Sequence, residues 1–237
     1  MKNALIGYTG FIGSHLKEKI KNCKYYNSKN IKKIKNKKFN KIYFSGNDSR
    51  IWYVNKYPKK DMKNLISILS NLSSVKCNLF ILISSIEIYK STKNKKYDEN
   101  LKLNHKKKLN YGENRLFFEK EIKKLFKNHL IIRLPVVYGS RLKKNVLFDI
   151  IHNNNLSNIN TSDVLQFYPV KYLYSDINKI IKNKIKLINL SSAPIRIATI
   201  FKKFNLKMNH HNLNRNYNMV STFSNIFKKC SNNGRRS

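Results

Sequence analysis

The chain has 237 residues, 41% of them hydrophobic, and carries 49 Lys and Arg against 12 Asp and Glu, a formal charge of +37. This length suits one hydrophobic core with an appended lobe, and the longest purely apolar run, LFILI at 79–83, is too short to cross a bilayer. The charge alone suggests a polyanion partner, but it is almost all Lys, and it arrives with abundant Asn and Ile, which share A/T-rich codons. A surface shaped to read nucleic acid would use Arg for bidentate contacts, so only nonspecific polyanion affinity is expected.

The elements alternate between strand and helix. NALIG (3–7) reads as a buried strand and FIGSHLKEKIKN (11–22) as a helix, with Ile12, Leu16 and Ile20 four apart. Lys24–Lys41 reads as a basic, Asn-rich stretch, followed by the strand KIYFSG. DMKNLISILSNL is a helix with Met62, Leu65, Ile66 and Leu69 on one face, approached through Pro58. NLFILISSIEIY is a long central strand running into a loop, and the polar segment 90–110 a surface loop. YGENRLFFEKEIKKLFK reads as a helix and HLIIRLPVVYG as a strand ended by Pro135 and Gly139. Beyond Gly139 one or two helices and a strand are expected, and from about Lys202 a frayed tail. Strands separated by helices imply right-handed crossovers and a doubly wound parallel α/β sheet.

Three features narrow the chemistry. Cys23, Cys77 and Cys230 are odd in number and far apart, which fits neither a disulfide framework nor a metal clip and suggests a reducing cytoplasm. His15, His105, His129, His152, His210 and His211 show no ligand spacing, so no metal site is expected. A signal peptide is not expected either, because no small-residue cleavage site follows the first apolar stretch.

The N-terminal segment IGYTGFIGSHL places Gly7, Gly10 and Gly13 between a strand and a helix. There the first glycine permits a tight turn, the second lets backbone N–H groups approach a pyrophosphate, and the third lets the helix pack against the strand.

GYTGFIGSHL resembles the TGxxGFIG fingerprint of the extended short-chain dehydrogenases/reductases, the NAD(P)-dependent epimerase/dehydratase family acting mostly on nucleotide sugars. Further segments agree in order. ISSIEIY resembles SSxxVYG, YDENLK the acidic stretch before the catalytic tyrosine, and YGENR the YxxxK motif. IIRLPVVYG resembles RxPxVYG, and QFYPVKYLYSDI and INLSSAPIRIATIF resemble segments of the C-terminal half.

The resemblance implies a Rossmann domain over 1–139 and a reduced substrate lobe over 140–237, interleaved with the last sheet strands and trimmed or truncated at its C-terminus. It implies Tyr111 as general acid/base, Ser85 as the hydroxyl that binds the reacting oxygen, and Arg115 in the lysine position. Gly7, Gly10, Phe11, Ile12, Gly13, Asn27, Tyr111 and Arg115 would hold the cofactor. A neighbouring cation is chemically apt, since a phenol of pKa about 10 needs one to act as a base at neutral pH. Arginine supplies that charge but no proton relay.

Two other positions depart from the family pattern. Ile86 stands where dehydratases carry Asp, which favours epimerisation or reduction, and Glu87 reads equally well as an exposed loop carboxylate or a functional group. Val136 replaces an Asn that contacts nucleotide sugar, leaving Arg141, Lys171 and Arg196 as cations for a diphosphate. YYNSKN offers Asn27, Ser28 and Lys29 and no acid at the ribose position, a lean toward NADP(H). The implied partner is a nucleotide-sugar-like small molecule, and the implied assembly a homodimer through paired helices. The rival readings are a dinucleotide-binding Rossmann protein without turnover and a polyanion-binding protein.

Overall fold

A computed structural model describes residues 1–89, 96–104, 109–211 and 215–227. The first half runs β1 (Asn3–Ile6), α1 (Phe11–Lys19), β2 (Cys23–Tyr26), β3 (Lys38–Phe44), α2 (Ile51–Lys56), α3 (Pro58–Leu72), β4 (Lys76–Ser85), α4 (Tyr111–Leu125) and β5 (His129–Leu134). The second half adds β6 (Val136–Tyr138), α5 (Val146–Ile151), β7 (Val164–Leu165), β8 (Phe167–Pro169), α6 (Leu173–Lys182), β9 (Leu187–Asn189), β10 (Ile195–Arg196), α7 (Ile197–Lys203) and α8 (Ser224–Phe227). Six strands form one parallel sheet in the order β2-β1-β3-β4-β5-β9 among the described residues. The fold is a Rossmann-type doubly wound α/β sheet.

The period of two along each strand separates two cores. Ala4, Ile6, Ile42, Phe44, Phe80, Leu82 and Ile131 meet Leu65 and Leu72 of α3 and Phe118 and Ile122 of α4 on one face. Leu5, Tyr43, Ile81, Ile83, Leu130 and Ile132 meet Leu16 of α1 and Leu173, Ile177 and Ile180 of α6 on the other. Each buried Leu, Ile or Phe among them contributes about 1.5–3 kcal/mol by leaving water, and covering both faces is why FILI shows no polar alternation. A third cluster, including Ile150, Leu165, Phe167, Ile197 and Phe201, forms the core of a small lobe built on the pairs β6-β8 and β7-β10.

Several expectations are corrected. The basic stretch Lys24–Lys41 holds most of β2, an edge strand, a 3-10 turn at Ile31–Ile34 and the start of β3; Lys24 and Lys38 are exposed strand positions, Tyr26 and Phe39 on the same strands are buried, and most of the other lysines lie in the turns between. Helix α2 precedes α3, Pro58 is the first residue of α3 rather than an upstream marker, and Ile66 points outward at 52% exposure while Asp61 points in. The central strand ends at Ser85 and Ile86–Tyr89 form a 3-10 turn. Pro135 divides the next strand, since it lacks the N–H a ladder needs, and β6 leaves the main sheet to pair with β8. The region past Gly139 carries more elements than expected. The tail is not frayed throughout: Tyr97 bridges Met219, Val164 bridges Asn216, and Tyr217 and Met219 are buried. His105, Cys230, the final CSNNGRRS and parts of the 90–110 loop lie outside the described residues.

Candidate active site

The chain passes from β1 through α1 to β2 on one side of β1, then crosses to β3 on the other, so the topological switch point lies between the carboxyl ends of β1 and β3. Ligands of open α/β sheets bind at such a crevice. Gly7 closes β1 with φ +88°, and a Cβ there would stand 2.6 Å from the backbone of Ser45 and Gly46. A Cβ on Gly13 would stand 2.0 Å from the Gly7 carbonyl oxygen, so helix and loop touch backbone to backbone. Gly10 is the N-cap of α1, in an extended conformation, with no side-chain cap and no acid in the first turn. The N–H groups of Phe11, Ile12 and Gly13 therefore open the helix without intrahelical acceptors, and its dipole favours an anion there.

Asn27 follows directly on β2. Its side-chain amide donates to Tyr8 Oη at 3.2 Å, and its oxygen accepts from the Lys29 N–H at 2.9 Å. An open groove of about 520 Å³ flanks this loop, lined by Tyr8, Thr9, Ser14, Lys17, Glu18, Tyr25 and Arg141. The Lys17 ammonium lies 5.4 Å over both the Tyr8 and Tyr25 rings.

Two strands along the sheet, about 10 Å from β1, β4 ends at Ser85. Helix α4 begins beside it because Asn110 caps the Glu113 N–H at 3.0 Å and Asn55 of α2 accepts the Tyr111 N–H at 2.9 Å. Gly112 lets the helix start press on the 3-10 turn, where a Cβ would come within 2.5 Å of the Glu87 carbonyl. The result sets the buried Tyr111 phenol close enough to Ser85 for that hydroxyl to act on its proton, while Ser85 Oγ accepts from the Glu87 N–H at 3.2 Å. Burial pushes the Tyr111 phenol above its ordinary value; Arg115 pulls it down, Glu87 pushes it up, the Ser85 hydroxyl lowers it, and Asp61 raises it again.

Arg115 is not at the phenol oxygen. Its guanidinium carbon lies 4.7 Å over the Tyr111 ring, and its Nη2 donates to both Asp61 oxygens at 2.8 and 2.7 Å. Both side chains are buried, at 1% and 4% exposure. Among the described residues, Arg115 Nε and Nη1 are buried with no partner. Asn114 Nδ2 also donates to Asp61, at 2.8 Å.

Glu87 is no exposed loop carboxylate. Burial raises its carboxyl, partly offset by a 2.7 Å hydrogen bond from Tyr217 Oη and by the nearby Arg215, which itself pairs with buried Asp163 at 2.8 Å. Behind the site a polar row crosses the sheet at Ser84, Arg133 and Asn189, which are register partners. Glu119 of α4 accepts from Ser84 at 2.5 Å and pairs with Arg133 at 2.6 Å; Arg133 also donates to Tyr89 Oη, which bonds Asn189.

Elsewhere, Ile86 is buried in the lobe core, and Val136 packs against it. Arg141 pairs with Glu18 at 2.7 Å at the groove, Lys171 lies over the Tyr172 ring, and Arg196 caps α7 on the lobe surface. These three cations are not gathered at one point by any contact in the structure. Sequence reasoning missed Asp61, Asn55, Glu119 and Tyr217. Only Glu119 carried a local signal, falling four residues after Arg115 and eight after Tyr111 on one helix face.

Fold and glycine loop together define a Rossmann-type α/β protein whose topological switch point is closed by that loop. No family model and no curated protein matches the sequence. Solved structures share the fold: a dTDP-4-dehydrorhamnose reductase from Clostridium acetobutylicum is 14% identical at TM-score 0.71, covering 98% of this chain and 93% of that one. A dTDP-glucose 4,6-dehydratase from Streptomyces venezuelae, solved with NAD, is 10% identical at TM-score 0.75 (97% and 90% covered). The UDP-glucose 4-epimerase of Thermotoga maritima is 14% identical at TM-score 0.72 (94% and 91% covered). At such identities the shared property is the fold.

Proposed function

We propose that the chain is an NAD(P)-dependent enzyme acting on a nucleotide sugar, with reduction of a ketone as its favoured direction. The carrying observation is the buried Tyr111 phenol set beside Ser85 at the carboxyl end of β4, two strands from a loop whose Gly7 and Gly13 admit no side chain. The fold neighbours, which include a reductase, a dehydratase and an epimerase of nucleotide sugars, support the substrate class.

The cradle fits a dinucleotide: the close backbone approaches at Gly7 and Gly13 leave the uncapped start of α1 open to a pyrophosphate, held by the N–H groups of Phe11, Ile12 and Gly13. Bound nicotinamide would supply hydride exchange. Ser85 Oγ orients the substrate oxygen, and Tyr111 Oη moves the proton. A phenol is protonated at neutral pH and burial raises its hold on the proton further, so Tyr111 is set to donate, which is what a nascent alkoxide requires during reduction. Asn27, the absence of an acid after β2, and Lys17 and Arg141 in the adjoining groove support NADP(H). Residues 1–139 would form the cofactor domain, with the β6-β8 and β7-β10 lobe receiving the sugar nucleotide.

NADPH consumption with dTDP- or UDP-4-keto sugars tests this. Tyr111→Phe is expected to lower kcat by about 10²–10⁴ while NADPH binding persists; turnover left intact would remove Tyr111 from the mechanism. One observation favours a second reading, a dinucleotide binder without turnover: Arg115 is committed to Asp61 and not to the phenol oxygen. NADPH binding with no turnover across the sugar panel would select it.

A further inference from the structure

Burial raises the Tyr111 phenol, and the charged groups that act on it are Arg115 of α4, Glu87 of the 3-10 turn and Asp61 of α3. Arg115 reaches Asp61 through one terminal nitrogen, Nη2, which touches both carboxylate oxygens. That anchor fixes the guanidinium over the face of the Tyr111 ring, 4.7 Å from its centroid. A cation over a ring face interacts with its quadrupole; a cation at the oxygen would stabilise the phenolate directly. Meanwhile the Asp61 charge, buried with the arginine, opposes the guanidinium's pull on the phenol. Nothing dilutes the opposition, because both side chains are almost entirely out of water.

Two further contacts show that Asp61 is held in place and not merely near. Asn114 donates to the same carboxylate at 2.8 Å and to the Pro58 carbonyl at 3.0 Å, tying the first turns of α3 and α4 together around it. The remaining Arg115 donors, Nε and Nη1, are buried without partners among the described residues, so the guanidinium is held at one end only. Removing the anchor frees a charge that has unmet donors to satisfy.

We propose that Asp61 is a positioning residue for the Tyr111 proton: it holds Arg115 away from the phenol oxygen and offsets its charge, keeping Tyr111 protonated and biasing the site toward proton donation. This rests on Tyr111 being the acid/base, so the test reads Tyr111 itself before any turnover.

The ionised fraction of Tyr111 is followed at pH 10 by ¹³Cζ-tyrosine NMR in the cofactor-free protein, with Tyr111→Phe assigning the signal. Asp61→Asn keeps the shape and removes the charge, and is expected to raise the ionised fraction about tenfold, one unit of midpoint. Asp61→Glu keeps the charge and should titrate as wild type does. Arg115→Met should lower the ionised fraction, and the neutral double variant Asp61→Asn/Arg115→Met should lie closer to wild type than Arg115→Met does. If Asp61→Asn fails to fold with its unpaired arginine, the double variant, which buries no charge, decides alone. An Asp61→Asn titration unchanged from wild type, or a double variant titrating with Arg115→Met, would overturn the proposal. Where substrate turns over by reduction, Asp61→Asn should also move the alkaline limb of the kcat/KM profile, where the donor loses its proton, to lower pH. Loss of turnover with the titration shifts intact would overturn the proposed activity and leave the role of Asp61 standing.

Discussion

Replacing Gly13 by alanine sets two physical effects against each other, and their sizes decide the outcome. Gly13 lies inside α1, where alanine is the better helix former by about 1 kcal/mol, so propensity alone predicts a more stable protein. The added Cβ, however, would stand 2.0 Å from the Gly7 carbonyl oxygen, 2.7 Å from its carbon and 2.9 Å from Tyr8 Cα. These are backbone atoms, and the first contact is short by more than 1 Å, so α1 must lift off the loop that closes β1. Overpacking of this kind costs about 3 kcal/mol or more. The net loss of about 2 kcal/mol lowers Tm by about 4–8 °C in a chain of this size. NADPH binding should fall with it, because the displaced helix carries the N–H groups of Phe11, Ile12 and Gly13. Gly10→Ala is the control. Its Cβ meets only the Gly7 oxygen at 3.4 Å, an ordinary contact, so it should melt as wild type does while binding NADPH more weakly if a pyrophosphate passes over Gly10. Paired urea melts and NADPH fluorescence titrations read both. A Gly13→Ala protein as stable as wild type would refute the backbone contact on which the cradle rests.

Glu119→Leu strands Arg133 in the interior and should cost about 3–5 kcal/mol in urea melts, while Glu119→Leu with Arg133→Met recovers much of the loss; a single-variant cost under about 1 kcal/mol would show that the pair is not desolvated as its burial implies. Glu87 has a carboxyl raised by burial. The folded state therefore holds its proton longer than the unfolded state does, and stability from this group is full at low pH and lost as pH rises from the ordinary carboxylate range through the raised value. Glu87→Gln should leave Tm unchanged at low pH and raise it at neutral pH; a variant less stable at neutral pH would mean that the carboxylate is stabilised by Arg215 and Tyr217 more than burial opposes it.

The local patterns were legible where one physical requirement dominates one stretch of chain. Apolar strands, the period-four face of α1, the glycine spacing and the i, i+4 relation of Tyr111 and Arg115 all act over a few residues, so the sequence by itself determined the parallel sheet, the loop at its switch point and the helix bearing the tyrosine. It hid β2 because edge strands tolerate lysine, and it hid α2 because six residues show no clear period. What only the tertiary structure decided is the electrostatic company of that tyrosine. Asp61 lies 54 residues before Arg115, Tyr217 lies 130 after Glu87, and neither pairing leaves a local trace. Arg115 therefore reads in the sequence as the cation of a phenol, whereas the packing of α3 on α4 gives its charge to a buried carboxylate. The physical reason is burial: a guanidinium shut out of water must meet a counter-charge, and the fold determines which one lies within reach.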